Sequence, residues 1–174
     1  MYIVVGLGNT GDAYVGTRHN LGRIFVDFLL ERGNVHAKFL HLDTFMNKTG
    51  QALVKHVKSP KMAKKLVVIY DDLDLPLGTF KISYDRGSGG HKGVESIIKS
   101  LKTREFIRVR VGISPTTPSG KLKKPKGDDL VEKFILGEFK KSELDILKKV
   151  FKEAELALVS IVSNGVESAM NEFN

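Results

Sequence analysis

Tyr2-Ile3-Val4-Val5-Gly6-Leu7-Gly8-Asn9-Thr10-Gly11-Asp12-Ala13-Tyr14-Val15-Gly16-Thr17-Arg18-His19-Asn20-Leu21-Gly22 decides how this chain is read. The apolar run Tyr2–Val5 has the length and composition of a buried strand. Several glycines follow, and then Ile24, Phe25, Phe28, Leu29 and Leu30 recur at helical spacing. A strand that turns over glycines into a helix is the unit of open α/β sheets, whose ligands bind beyond the carboxyl ends of the strands. The turn therefore sets Asn9, Tyr14, Arg18, His19 and Asn20 at a ligand-binding edge.

Gly6-x-Gly8-x-x-Gly11 also fits the glycine fingerprint of dinucleotide-binding turns, where the helix starts directly after the glycines and holds a pyrophosphate. Here nine residues, Asp12 to Asn20, separate Gly11 from the helix pattern. No acidic residue ends a second strand at the expected distance, and Asp27 falls inside the helix pattern. A nucleotide-dependent oxidoreductase is therefore disfavoured. Taken alone, the fingerprint leaves an ordinary glycine-rich turn with solvated side chains.

The alternation continues downstream. Gly33 stops the first helix, spanning 21–32, and His36–Leu42 can form a short strand. Asn47 can cap a helix running to about Val57, which Ser59-Pro60 ends. Leu66–Tyr70 is a second apolar strand, followed by the acidic turn Asp71-Asp72-Leu73-Asp74. Thr79–Tyr84 and Ile107–Ile113 alternate as strands, and Val94, Ile97, Ile98 and Leu101 mark a helix between them. Residues 114–127 hold three of the five prolines and four lysines, and read as a mobile basic loop. A short helix near 128–136, a long amphipathic helix over 142–163 and a last helical turn or two complete the chain. Strands alternating with helices place the fold in the α/β class, and 174 residues suit one domain with a full core.

Composition narrows the function. Lys and Arg outnumber Asp and Glu by 28 to 20, giving a formal net charge of +8, so an anionic partner is expected, nucleic acid first. The absence of cysteine excludes structural disulfides and cysteine zinc sites. No apolar run reaches the length of a membrane span, and no signal-peptide pattern precedes the first strand. A cytoplasmic protein that does not enter a membrane is the expectation.

Four groups of residues can carry chemistry. His19 is the first, because imidazole accepts a proton near neutral pH. Asp71 ends the second apolar strand and so faces the same sheet edge, and an imidazole held by a carboxylate is a base–orienter pair. Alternatively, Asp71, Asp72 and Asp74 are a strand-capping turn or a divalent-metal site. Leu73 and Leu75-Pro76-Leu77 look like packing residues, and the His and Asp residues show no ligand spacing, so no metal is expected. Asn47, in Thr44-Phe45-Met46-Asn47-Lys48-Thr49-Gly50, can cap its helix or offer its amide to an oxyanion. Gly87-Ser88-Gly89-Gly90-His91-Lys92-Gly93 leads into a helix N-terminus, which suits phosphate or backbone contact, or a plain linker. The basic residues form the last group. Arg108 and Arg110 point to one face of a strand, and Lys121, Lys123, Lys124 and Lys126 crowd the proline-rich loop, as phosphate-contacting residues do.

Taken together, these blocks resemble the bacterial-type peptidyl-tRNA hydrolase family. The resemblance rests on Gly6-Leu7-Gly8-Asn9-x-Gly11 with Tyr14 and Thr17-Arg18-His19-Asn20-x-Gly22; on Thr44-Phe45-Met46-Asn47-x-x-Gly50; on Asp71-x-Leu73-Asp74-Leu75-Pro76-x-Gly78; on Gly89-Gly90-His91-x-Gly93; and on Arg108-x-Arg110-x-Gly112-Ile113. It implies a single three-layer α/β/α domain with a twisted mixed sheet, acting as a monomer. It implies hydrolysis of the ester between peptide and tRNA, without metal or organic cofactor. By the resemblance, His19 is the base that activates water and Asp71 orients it. Asn9 and Asn47 position the substrate and support the oxyanion, and Tyr14 and Met46 line the cleft. His91 and Lys92 fall to the substrate-binding turn, and Arg110 with a loop lysine, taken as Lys121, to a clamp on the tRNA 5′ phosphate. The alternative is a non-catalytic RNA-binding protein on the same scaffold. Three departures stand out. Thr10 replaces the usual proline, Lys92 replaces the usual asparagine, and Gly33–Asp43 is shorter than usual, so the sheet is expected to be smaller by one or two strands.

Overall fold

Val4 and Val5 are wholly buried neighbours whose side chains point to opposite faces, each into a separate apolar core. They belong to β1 (Ile3–Gly6), and a strand buried on both faces must lie inside a sheet covered by helices. The computed structural model, which describes residues 1–174, has this arrangement. With β2 (Lys38–Leu40), β3 (Leu66–Pro76), β4 (Phe80–Tyr84) and β5 (Ile107–Ser114), the sheet runs in the order β2-β1-β3-β5-β4. All pairs are parallel except β4 against β5, so the sheet is mixed.

Two helical layers cover it. On one face, α1 (Leu21–Arg32) contributes Phe25 and Leu29 to the larger core. The opposite face is covered in part by α2 (Thr49–Val54) and α3 (Pro60–Ala63), which supply Leu53 and Ala63 to the smaller core. On that face α4 (Lys92–Leu101) adds Val94 and Ile97. Back on the α1 face lie α5 (Asp128–Ile135), α6 (Lys141–Asn164) and α7 (Val166–Phe173). Phe25 stacks on Phe151 of α6 with ring centroids 4.5 Å apart. The result is a three-layer α/β/α domain.

Most sequence-derived boundaries agree within a residue or two, and the differences have local causes. β3 continues past its apolar run to Pro76, because Asp71 and Asp72 still pair with Val111 and Gly112 of β5; the register then shifts between Asp72 and Pro76. Asp71 thus lies within a strand rather than on a turn. Ser59-Pro60 opens a helix instead of only ending one, since the Ser59 hydroxyl accepts the Met62 N–H at 3.3 Å and Pro60 occupies the first helical position. The 114–127 loop folds back on itself, with a bridge between Thr116 and Leu122 and a 2.8 Å bond from Thr117 N–H to the Lys121 carbonyl.

Two glycines determine where the first turn lands. A Cβ on Gly22 would lie 2.3 Å from the Ile69 carbonyl oxygen and 2.4 Å from the Leu7 nitrogen. A Cβ on Gly6 would lie 2.0 Å from the Gly22 oxygen. The start of α1 therefore packs backbone to backbone on β1 and β3. This contact, rather than a pyrophosphate, accounts for Gly6, the first glycine of the apparent dinucleotide fingerprint.

Candidate active site

Close packing of α1 on β3 carries His19 to Asp71. His19 sits in a 3-10 turn (Arg18–Asn20) just before α1 and is 6% exposed, and its Nδ1 lies 3.0 Å from Asp71 Oδ2. From the other side, His91 Nε2 approaches Asp71 Oδ1 at 3.2 Å. His91 is also the N-cap of α4, and its Nδ1 accepts the Val94 N–H at 3.4 Å. A neutral imidazole that accepts at Nδ1 carries its proton on Nε2, so His91 donates to Asp71. The carboxylate in turn fixes the His19 proton on Nδ1, which leaves His19 Nε2 as the free basic nitrogen. Burial alone would raise the Asp71 carboxyl. The His19 imidazole and the hydrogen bonds from both histidines outweigh that and hold it well below the usual carboxylate range.

Nδ1 of His19, a carboxylate oxygen of Asp71 and Nε2 of His91 lie within 4.8 Å of one another, so three potential ligands absent from any sequence spacing do meet in space. Here they already satisfy each other as two N–H donors on one acceptor.

The asparagines are oriented in a similar way. Asn20 Oδ1 accepts the Asn9 N–H at 2.8 Å, and Asn20 Nδ2 donates to the Asn9 carbonyl at 2.9 Å. Asn9 Oδ1 accepts the Met46 N–H at 2.8 Å, which turns the Asn9 NH₂ toward the cleft. Asn47 is exposed within the 3-10 turn Met46–Lys48, its side chain caps no helix, and the residue lines the same cleft. Thr10, in place of a proline, is tied through its hydroxyl to Asp43.

Asn9, His19, Asn47 and Asp71 line one cleft of about 760 Å³ at the carboxyl edge of the sheet. Tyr14, Met46, His91, Lys92 and Arg110 line it as well. Arg110 is held at 2.7 Å by Asp72 and reaches the Ser83 hydroxyl at 3.3 Å. Two placements differ from the sequence reading. Lys121 is exposed on the loop and does not line the cleft, whereas Lys124 does, paired with Asp74 at 2.6 Å. Arg108 shares the Arg110 face but is fully buried, with its guanidinium 4.4 Å from the centre of the Phe106 ring, so it contacts no phosphate at the surface. β5 lies between two strands under helical cover, and the alternation pattern could not reveal that depth.

The Peptidyl-tRNA hydrolase family model matches residues 3–174. The chain belongs to the peptidyl-tRNA hydrolase family. Among curated relatives, a peptidyl-tRNA hydrolase of Thermoanaerobacter sp. is 39% identical and one of Alkaliphilus oremlandii 36%, both chains covered in full in each comparison. A crystal structure of peptidyl-tRNA hydrolase from Acinetobacter baumannii superposes with a TM-score of 0.85 at 27% identity, covering 100% of this chain and 94% of the other. The alignments with these two relatives run to 194 positions, so both carry residues this chain of 174 lacks. Sequence reasoning missed two features of the site. One is the His91–Asp71 bond, since nothing along the chain ties a histidine on a glycine-rich turn to a strand 20 residues earlier. The other is the cleft wall formed by α5, whose inward stripe is visible only as i, i+3, i+4, i+7 spacing.

Proposed function

We propose that this chain hydrolyses the ester joining a peptide to the 3′ end of tRNA, with His19 as general base. The observation that carries the reading is the buried His19–Asp71–His91 network opening beside the Asn9 amide in a single cleft. His19 Nε2 takes a proton from water, whose oxygen bonds to the ester carbonyl carbon. The resulting oxyanion is met by the amide NH₂ groups of Asn9 and Asn47. The carbon–oxygen bond to the ribose then breaks, and the proton held on His19 passes to the departing ribose oxygen. Asp71 keeps the imidazole in the tautomer this requires, and His91 keeps Asp71 in place. Water chemistry of this kind needs neither metal nor organic cofactor. Tyr14 and Met46 shape the cleft around the ester, and Lys92 and Arg110 with Lys124 of the basic loop take tRNA phosphates. Such a substrate places the activity in the cytoplasm. A cleft lined by one chain lets a monomer carry it out, and no helix is long and apolar enough to cross a membrane.

Replacing His19 with alanine tests the reading. The variant is expected to fold and bind tRNA while releasing free tRNA from peptidyl-tRNA at least about 10²-fold more slowly, the lower range for a lost general base. Near-normal release by a folded His19→Ala protein would overturn the assignment.

A further inference from the structure

The cleft has two electrostatically different walls. On the α4 side, Lys48, Arg86 and Lys92 line it without a carboxylate partner. On the opposite side, α5 directs Asp128, Val131, Glu132 and Ile135 into it, one helical stripe at i, i+3, i+4 and i+7. Asp128 and Glu132 have no basic partner, whereas the other cleft carboxylates do: Asp71 holds the histidines, Asp72 holds Arg110, and Asp74 holds Lys124. The far end of α5 is anchored beside the catalytic turn, where Arg18 donates to the Phe134 carbonyl at 3.3 Å and its backbone N–H to the Gly137 carbonyl at 3.0 Å.

We propose that the inward stripe of α5 is the peptide subsite, and that Asp128 and Glu132 favour peptides with cationic side chains near the ester over those with anionic ones. This rests on the hydrolase reading above. A polyphosphate chain is attracted to free cations and repelled by free carboxylates, so the nucleic-acid part of the substrate takes the α4 wall. With the ester at His19 between the walls, the acyl part leaves along α5. Ile135 lies nearest the anchored end and meets the first side chain, Glu132 the next, and Asp128 the one after. From 128 to 135 the helix rises about 10 Å, the length of about three extended residues.

The experiment compares one tRNA carrying N-acetylated tripeptides with lysine, alanine or glutamate in the middle position. Wild-type kcat/KM is expected to fall in that order, by about two- to fivefold per step at low salt, the range of an exposed ion pair. Glu132→Gln is expected to flatten the series and Glu132→Lys to reverse it. A charge moved six residues from the ester should give almost no discrimination. If the wild type cleaves all three equally, the peptide subsite is refuted while the hydrolase reading stands; if it cleaves none, both fall. If Glu132→Lys instead tightens binding of deacylated tRNA and speeds all three substrates equally, α5 faces nucleic acid and the proposal is overturned.

Discussion

Asp71 is where the site's chemistry concentrates, because one buried carboxylate accepts from two imidazoles on different elements. Its depressed native pKa has a consequence for stability. A carboxyl that ionises more readily when folded stabilises the protein above its unfolded value, near 4, and that contribution is lost as pH falls from there through the native value. The melting temperature of the wild type is thus expected to drop on acidification below about pH 4. Asp71→Asn, which cannot titrate, is expected to show a shallower drop; thermal melts between pH 2 and 6 check it, and equal slopes would mean Asp71 ionises alike in both states. Tyr70, whose ring lies 4.8 Å from that of His91, has its hydroxyl pushed up to about 12 by burial. It stays protonated across any assay range and so offers no basic oxygen there. That His19 and Asp71 meet was legible in the sequence, because the glycine-rich turn after β1 and the end of the apolar run in β3 reach the same sheet edge. The contact of His91 with Asp71 was not, since a glycine-rich turn gives no register along which to project it.

Among the elements, the contact of α1 with the sheet decides where His19 meets Asp71. Gly22→Ala places a methyl against two backbone groups that cannot rotate away, the Ile69 oxygen and the Leu7 nitrogen. Overpacking typically costs about 1–3 kcal/mol, and a backbone clash lies at or above the upper end. The variant is expected to lose stability by that amount in urea titration. It should also lose hydrolysis under conditions where it remains folded, because α1 must back off the sheet and draw His19 away from Asp71. Wild-type stability would show that the helix start can shift without cost. The sheet and its helices were readable from apolar runs and spacing, including α1 itself, whose C-terminal Gly33 adopts a left-handed φ of 67°. Less readable were features that depend on a neighbouring strand. Pairing with β5 extends β3 through two aspartates, and the same neighbours bury Arg108. The 114–127 segment reads as a mobile basic loop from its prolines and lysines, and several of its backbone bonds, such as that from Thr117 N–H to the Lys121 carbonyl, are made within the segment itself.

For the molecule as a whole, the excess of eight positive charges is not spent evenly. Asp72 and Asp74 partly neutralise Arg110 and Lys124, so the unpaired Lys48, Arg86 and Lys92 set the attraction of the cleft for phosphate. About three such contacts predict that log affinity for tRNA falls with log salt at a slope near −2 to −3, using roughly −0.7 to −0.9 per phosphate. Arg110 is the demanding case, because its removal also strands Asp72, whose side chain is only 12% exposed. A phosphate clamp and a structural tie therefore both predict loss of activity for Arg110→Ala, and substrate length separates them. If Arg110 holds a phosphate remote from the ester, the variant raises KM for full-length peptidyl-tRNA more than it lowers kcat, since that contact is equal in ground and transition states. The effect is similar for different tRNAs, and a substrate reduced to the 3′-terminal nucleotides is nearly indifferent. Restoring neutrality with Asp72→Asn in the same protein then recovers stability but not KM. If the short substrate loses as much activity as the long one and the second substitution restores both, Arg110 acts by holding the Asp72 segment of β3 beside Asp71, and the tRNA phosphates are held by the unpaired cations alone.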